Sequence, residues 1–388
     1  MSEPPVALDE VDRAFLERAT ELGRNGWGRV HPNPMVGCVL ARDGAVVAEG
    51  WHEEFGGPHA EVVTLERAGL AAEGCTAYVS LEPCRHEGKT PACTGALLRA
   101  GVARVVFGAP DPGVESGGGA AELAGSGLEV VGPAFSIERA RRENPAFFHV
   151  AETGTAFVAL KLAVSLDGMI AEGPGLRTRL TGVEARREAH RLRAGFDAVL
   201  VGSGTVSADD PLLTVREPVP MRHAPARLVL DSKPALSTDA ALFGDVERAP
   251  LVVFTREDAP EGVLEALERA GARVHPVPRA RSGPGLDLRA VLRVCWDMGF
   301  RSVLCEGGGR LAASLVEAGL VGRLYLLVAP RILGEGGVPA FPGRRGSLGV
   351  AWTPAHPPVS LGSDVLLTYD PTDPAAGGSS NASGSAHQ

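Results

Sequence analysis

The chain has almost no lysine. Only Lys89, Lys161 and Lys233 occur among 388 residues, and the rest of the basic complement is arginine, so general charge supply explains none of the three. Cysteine is sparse and scattered: Cys38, Cys75, Cys84, Cys93, Cys295 and Cys305 form no dense framework. That spread predicts a reducing compartment, the cytoplasm by default, with free or metal-bound thiols. No apolar run reaches the roughly 18 residues a membrane helix needs. The acidic start also lacks the basic and apolar regions of a secretory signal. A net charge of -9 works against collecting a phosphate backbone, so nucleic acid is not an expected partner.

What is present reads as an ordinary globular protein, 44% hydrophobic and 22% charged, long enough for two domains. Residues 9–24 have helical spacing, with Asp9 as N-cap and Gly23 as a stop. Two strands, 36–41 and 46–50, flank the turn Arg42-Asp43-Gly44. A helix is expected over 59–69, with His59 and Glu61 in its first turn. A strand over 76–81, a helix near 94–100, a strand over 104–109, a Gly-rich loop and a short strand over 128–131 follow. Residues 136–148 read as a closing helix and 152–154 as a linker. This alternation predicts a three-layer α/β domain.

A second α/β series begins at Phe157. Strands are expected at 157–164, 198–201, 226–230, 251–254, 273–277, 302–305 and 324–329. Helices are expected at 183–194, 262–270, 286–298 and 309–318. The expected division is a flexible start over 1–8, a first domain over 9–151, a second over 155–369, and a disordered Pro/Gly/Ser-rich tail over 370–388.

The strongest pattern is His59-Ala60-Glu61 followed by Pro83-Cys84 and, nine positions on, Cys93. One imidazole and two thiols supply three zinc ligands, which leaves a coordination position open for water. Glu61 is then placed to move a proton from that water to a leaving amine. This is the zinc base-deaminase arrangement, except that its second cysteine normally follows the first within a P-C-x-x-C unit. The longer loop here holds His86 and Lys89, which are expected to touch substrate. A structural zinc would take a fourth protein ligand, for which Cys38 and Cys75 are the candidates, although neither is obviously placed. In the second half, Glu306-Gly307-Gly308-Gly309 runs from a strand into a helix, a turn whose amides can approach a pyrophosphate. No G-x-G-x-x-G follows that domain's first strand, which argues against a standard dinucleotide fold.

Together with Asn33-Pro34-Met35-Val36-Gly37 and Gly50-Trp51-His52, the zinc motifs resemble those of the bifunctional riboflavin biosynthesis proteins, which join a pyrimidine deaminase and a pyrimidine reductase in one chain. Ala92 stands where that family has a second proline. The resemblance implies a cytidine deaminase-like first domain whose pocket is lined by Asn33, His52, His86 and Lys89. In the second half, the stretch from Lys161 to Gly168, Gly202-Ser203-Gly204-Thr205-Val206 and the stretch from Asp209 to Arg216 carry the likeness. They imply a dihydrofolate reductase-like domain that uses NADPH.

By the same resemblance, Thr205, Asp209, Gly308, Gly309, Arg310, Leu311, Ala312, Ala313 and Ser314 meet the dinucleotide. Arg193, Leu213, Arg216 and Glu306 meet the phosphorylated substrate. From the residues themselves rather than the resemblance, Ser232, with Lys233 beside it, is expected to hold the cofactor's 2′-phosphate, and Lys161 to polarise the substituent of the reacting ribose-derived carbon. The implied reactions are hydrolytic deamination of 2,5-diamino-6-ribosylamino-4(3H)-pyrimidinone 5′-phosphate, then reduction of the ribosyl group, in a homodimer joined through the reductase domain.

One segment departs from the family. Arg177-Thr178-Arg179-Leu180-Thr181 replaces a Ser-x-Trp-Ile-Thr contact surface, which keeps a second reading open: a zinc deaminase, on this or another nucleoside or base, whose reductase-like domain does not reduce.

Overall fold

The computed structural model describes residues 5–86, 92–281, 284–342 and 350–372. Helix α1 (Glu10–Gly23) begins where the Asp9 side chain accepts from Asp12 N. Strands β1 (Gly37–Arg42) and β2 (Ala45–Trp51) pair antiparallel across the expected turn. Helix α2 (Ala60–Ala68), β3 (Thr76–Leu81), α3 (Cys93–Arg99), β4 (Arg104–Ala109), α4 (Gly119–Gly125) and β5 (Glu129–Val131) follow. The five strands form one sheet in the order β2-β1-β3-β4-β5. Leu16, Ala19 and Leu22 of α1 pack on one face with Phe135, Ala140 and Phe148. Leu65 and Leu97, from α2 and α3, pack on the other with Leu123 of α4. These are the three layers that the alternation predicts.

Three local expectations need correction. The Gly-rich loop after β4 contains α4. The closing helix is two helices, α5 (Ile137–Glu143) and α6 (Pro145–Thr153), because Pro145 cannot continue the hydrogen bonding of α5 and instead opens a new helix. Residues 152 and 153 are therefore helical, and the chain turns only at Gly154.

The second unit comprises β6 (Phe157–Ser165), β7 (Met169–Ala171), α7 (Val183–Ala194), β8 (Ala198–Gly202), α8 (Ser203–Asp209), β9 (Ala226–Asp231), β10 (Leu251–Arg256), α9 (Glu261–Arg269), β11 (Arg273–Val277), α10 (Leu288–Asp297), β12 (Ser302–Cys305), α11 (Gly309–Glu317), β13 (Arg323–Ala329), β14 (Val338–Pro339), β15 (Trp352–Leu361) and β16 (Asp364–Pro371). Nine strands form a sheet in the order β11-β10-β9-β8-β12-β6-β13-β16-β15, and the last two enter antiparallel as a hairpin. That hairpin, α8, β7 and β14 are absent from the sequence reading. Strand β15 hid itself because His356-Pro357-Pro358 interrupts it, and prolines are tolerated there only because it is an edge strand. Because β16 runs to Pro371, residues 370 and 371 belong to the sheet rather than to a tail. The expected tail from residue 373 onward lies outside the described residues.

Strand alternation positions the second site. Val158, Leu160, Leu162 and Val164 of β6 face one core with α10 and α11. Phe157 and Ala159 face the opposite core with Ala185 and Leu192 of α7. With a period of two, Lys161 points to the α7 side.

Candidate active sites

In the first unit three strand and helix ends converge. His59 is the N-cap of α2 with extended backbone, Cys84 follows β3, and Cys93 opens α3. His59 Nδ1 lies 3.4 Å from Cys84 Sγ and 3.3 Å from Cys93 Sγ, and the three donor atoms sit within 4.8 Å of one another. Tetrahedral bonds of about 2.0 Å to nitrogen and 2.3 Å to sulfur put such atoms roughly 3.5 Å apart, so the spacing fits zinc. Among the described residues this is the only such cluster. Cys38 and Cys75 are buried elsewhere in hydrophobic clusters, so neither supplies a fourth ligand. All six cysteines are free thiols.

The electrostatics of the cluster suit a metal. The hydrogen bond from Cys93, and a further one from His59, lower the Cys84 pKa, so Cys84 is the natural thiolate. Cys93, which donates a hydrogen bond to Cys84, is shifted upward. Glu61, only 3% exposed, is pushed up to about 7 by burial. A carboxyl titrating there can both accept and return a proton near neutrality.

Around this centre, Asn33 Nδ2 lies 3.2 Å from His52 Nε2, and His52 Nδ1 lies 2.9 Å from the Pro58 carbonyl. The His52 and His59 rings meet edge to face at 5.4 Å. The structure thus brings Asn33 and His52 to the metal donors. His86 is exposed, and Lys89 lies outside the described residues. Glu82 was not anticipated. Buried behind Cys84, it accepts from Asp111 N at 3.1 Å and from Ala120 N at 2.9 Å, and so clamps the loop beside the site. Its signal was its position two residues before a ligand.

In the second unit Lys161, Arg193 and Glu306 come together. Arg193 Nε and Nη2 lie 2.5 and 3.0 Å from the two Glu306 oxygens, Arg193 Nη1 donates to the Thr214 carbonyl at 3.0 Å, and Lys161 Nζ is 3.4 Å from Glu306 Oε2. Burial alone would raise Glu306, but Arg193 and Lys161 overcome it and hold the carboxyl at about 2. Arg193 thereby commits three of its five N–H groups and keeps two for a ligand. Arg216 is exposed, and its amide donates to His190 Nδ1 at 3.4 Å. Leu213 has φ of 56° and is buried in the core, so only its backbone is available to a substrate.

The glycine turn heads α11. Thr205 Oγ1 accepts from Gly308 N at 3.1 Å, and a Cβ at Gly308 would meet nothing nearer than that oxygen, at 3.5 Å. Gly308 thus leaves room beside the turn, as a dinucleotide phosphate would need, whereas Gly309 is packed against the Pro339 and Ala340 carbonyls. Gly309 and Arg310 follow in the first turn, Leu311, Ala312 and Ala313 pack inward, and Ser314 is exposed. Asp209 is raised by burial, opposed by the charge of Arg177. Ser232 and Lys233 sit at the end of β9, with Lys233 exposed.

Two family models match the chain, one within each unit. Residues 9–109 match the cytidine and deoxycytidylate deaminase zinc-binding region, and residues 156–358 match the RibD C-terminal domain. The chain belongs to the RibD family. It is 38% identical to the riboflavin biosynthesis protein RibD of Aquifex aeolicus, over 85% of this chain and 90% of that one. Against the Escherichia coli RibD it is 37% identical, over 84% and 89%. A solved Acinetobacter baumannii RibD superposes with a TM-score of 0.78 at 32% identity, covering 94% of this chain and 99% of that one. A Thermotoga maritima structure, titled a diaminohydroxyphosphoribosylaminopyrimidine deaminase/5-amino-6-(5-phosphoribosylamino)uracil reductase, gives 0.77 at 32% identity, covering 93% and 99%.

As a RibD, the protein is a bifunctional deaminase and reductase of riboflavin biosynthesis that uses zinc and NADPH. The reading of a deaminase joined to a non-reducing domain falls away. Among the described residues no helix is long and apolar enough to cross a membrane.

Proposed function

We propose that the first domain, residues 9–151, deaminates the diaminopyrimidine ribosylamine phosphate, and that the second, residues 155–369, reduces the ribosyl group of its product. The three-donor cluster beside buried Glu61 carries this reading. Zinc held by His59, Cys84 and Cys93 supplies the Lewis acidity that readies water for attack. Glu61 takes the proton of the attacking water and returns it to the departing ammonia. Asn33 and His52, joined to each other, present polar groups to the pyrimidine, and His86 and Lys89 are assigned to the same substrate.

In the second domain NADPH supplies the hydride. The turn before α11, where Thr205 orders the Gly308 amide, would hold its pyrophosphate, and Ser232 and Lys233 would hold its 2′-phosphate. Lys161, held by Glu306, polarises the reacting carbon's substituent, and Arg193 and Arg216 meet the substrate phosphate. The reading also makes the enzyme a cytoplasmic homodimer joined through the second domain.

The test supplies the diaminopyrimidine to zinc-loaded protein and follows ammonia release and NADPH oxidation together. Glu61→Ala is expected to abolish ammonia release while sparing reduction of pre-deaminated substrate. Ammonia release surviving in that variant would remove Glu61 from its role.

A further inference from the structure

One short stretch of the first unit, residues 27–31, holds both segments that bear the proposed substrate arginines. The Trp27 indole N–H donates to the Arg191 carbonyl at 2.7 Å, two residues before Arg193. Its ring lies on Gly195, where a Cβ would stand 2.2 Å from Trp27 Cζ2, and it meets Phe196 edge to face at 6.1 Å. The Arg191 guanidinium covers the same ring at 5.1 Å. The C-terminal turn of α7 is thus seated on an aromatic plate from the other domain.

The segment that carries Arg216 is seated next to it. Arg222 N donates to the Gly28 carbonyl at 2.7 Å, and its guanidinium donates to the His31 carbonyl at 2.8 Å and lies 3.7 Å over the Phe55 ring. Gly28 has φ of 80°, and a Cβ there would approach the Pro220 carbonyl to 2.5 Å. His31 Nε2 lies 2.9 Å from Asp197 Oδ2 and 3.2 Å from Ser302 Oγ, linking the start of β8 to the start of β12, the strand that Glu306 follows. The same loop ends at Asn33, in the deaminase pocket.

We infer that residues 27–31 of the deaminase domain are a positioning element of the reductase site, with Trp27 setting Arg193 through the end of α7 and Gly28 and His31 setting the Arg216 segment through Arg222. The inference rests on the proposed roles of Arg193 and Arg216. The reductase domain therefore lacks a correctly shaped substrate site unless the deaminase domain is docked on it. A displaced arginine weakens substrate binding before it affects hydride transfer, so the effect falls on KM.

The experiment uses full-length, zinc-loaded Trp27→Ala, Trp27→Phe and Arg222→Ala proteins, supplied with the deaminated aminouracil phosphate for NADPH oxidation and, in parallel, with the diaminopyrimidine for ammonia release. Trp27→Ala and Arg222→Ala are expected to raise the reductase KM about tenfold, with kcat and ammonia release changed less than about twofold. Trp27→Phe, which keeps a ring over Gly195 but loses the N–H, should raise it only about threefold. Arg222 is exposed, so its variant keeps the test open if Trp27→Ala fails to fold. An unchanged KM in both alanine variants overturns the inference, as does an equal fall of both activities in both. If Arg193→Ala and Arg216→Ala also leave KM unchanged, the assignment of those arginines to substrate has failed; if they raise it while the docking variants do not, only the inference has.

Discussion

Arg193 grips Glu306 at two points, Nε to Oε1 and Nη2 to Oε2, with both side chains almost fully withdrawn from water. A paired carboxylate in such a place is fixed in direction and stays charged, since its pKa is about 2. It can therefore hold Lys161 at a set point throughout the neutral range. The pair is a built part of the reductase floor.

Glu306→Gln removes the charge but keeps the shape. Two buried cations then face each other without a counter-ion, a loss that breaking a buried pair puts at about 3–5 kcal/mol. NADPH oxidation should fall at least about a hundredfold with ammonia release retained, because the deaminase donors belong to the other unit. Reduction at the native rate would show that Glu306 is not needed to place Lys161.

Lys233 is exposed at the end of β9 and has no acidic partner among the described residues. A free cation there suits the 2′-phosphate that distinguishes NADPH from NADH. Lys233→Ala should cut the preference for NADPH about tenfold, by raising the NADPH KM alone. The ratio of kcat/KM for the two cofactors reads this directly, and an unaltered ratio moves the 2′-phosphate elsewhere.

Asp12 gives a pH signature in the first domain. It is buried, accepts two bonds from Arg104 and one from Tyr78, and is lowered below 3.8, chiefly by the Arg104 hydrogen bonds. A depressed carboxyl contributes stability that is complete above its unfolded value and is lost as pH falls through its folded one. Asp12→Asn should cost about 3 kcal/mol at neutral pH. Urea midpoints should show the gap from the parent protein narrowing as the pH drops below 3.8, and a gap constant with pH would mean that the charge is not what matters.

The parts of each site that were readable from the chain lie close together along it. His59 and Glu61 share one turn, and Cys84 and Cys93 bracket one loop, so residue type and spacing carried the metal chemistry. Strand β3 and strand β4 were placed correctly because short, largely apolar runs ended just before Pro83 and Pro110. The C-terminal hairpin was not, since three consecutive residues of β15, His356-Pro357-Pro358, look like a loop until the edge position is known. Helix α8 begins at Ser203-Gly204, a turn-like start, and at seven residues it is too short to display a period.

Residue types and spacing alone were enough for the chemistry at the deaminase centre and for two α/β units with most of their longer elements, because those follow from local spacing and alternation. It took the folded chain to reveal that Glu82 clamps the loop beside the zinc donors, that Arg193 gives two of its N–H groups to Glu306, and that Trp27 seats on a carbonyl 164 residues away. Such contacts have no period and no motif. They arise when two independently patterned surfaces meet, and the close approach at Gly195 matters only once an indole ring lies against it.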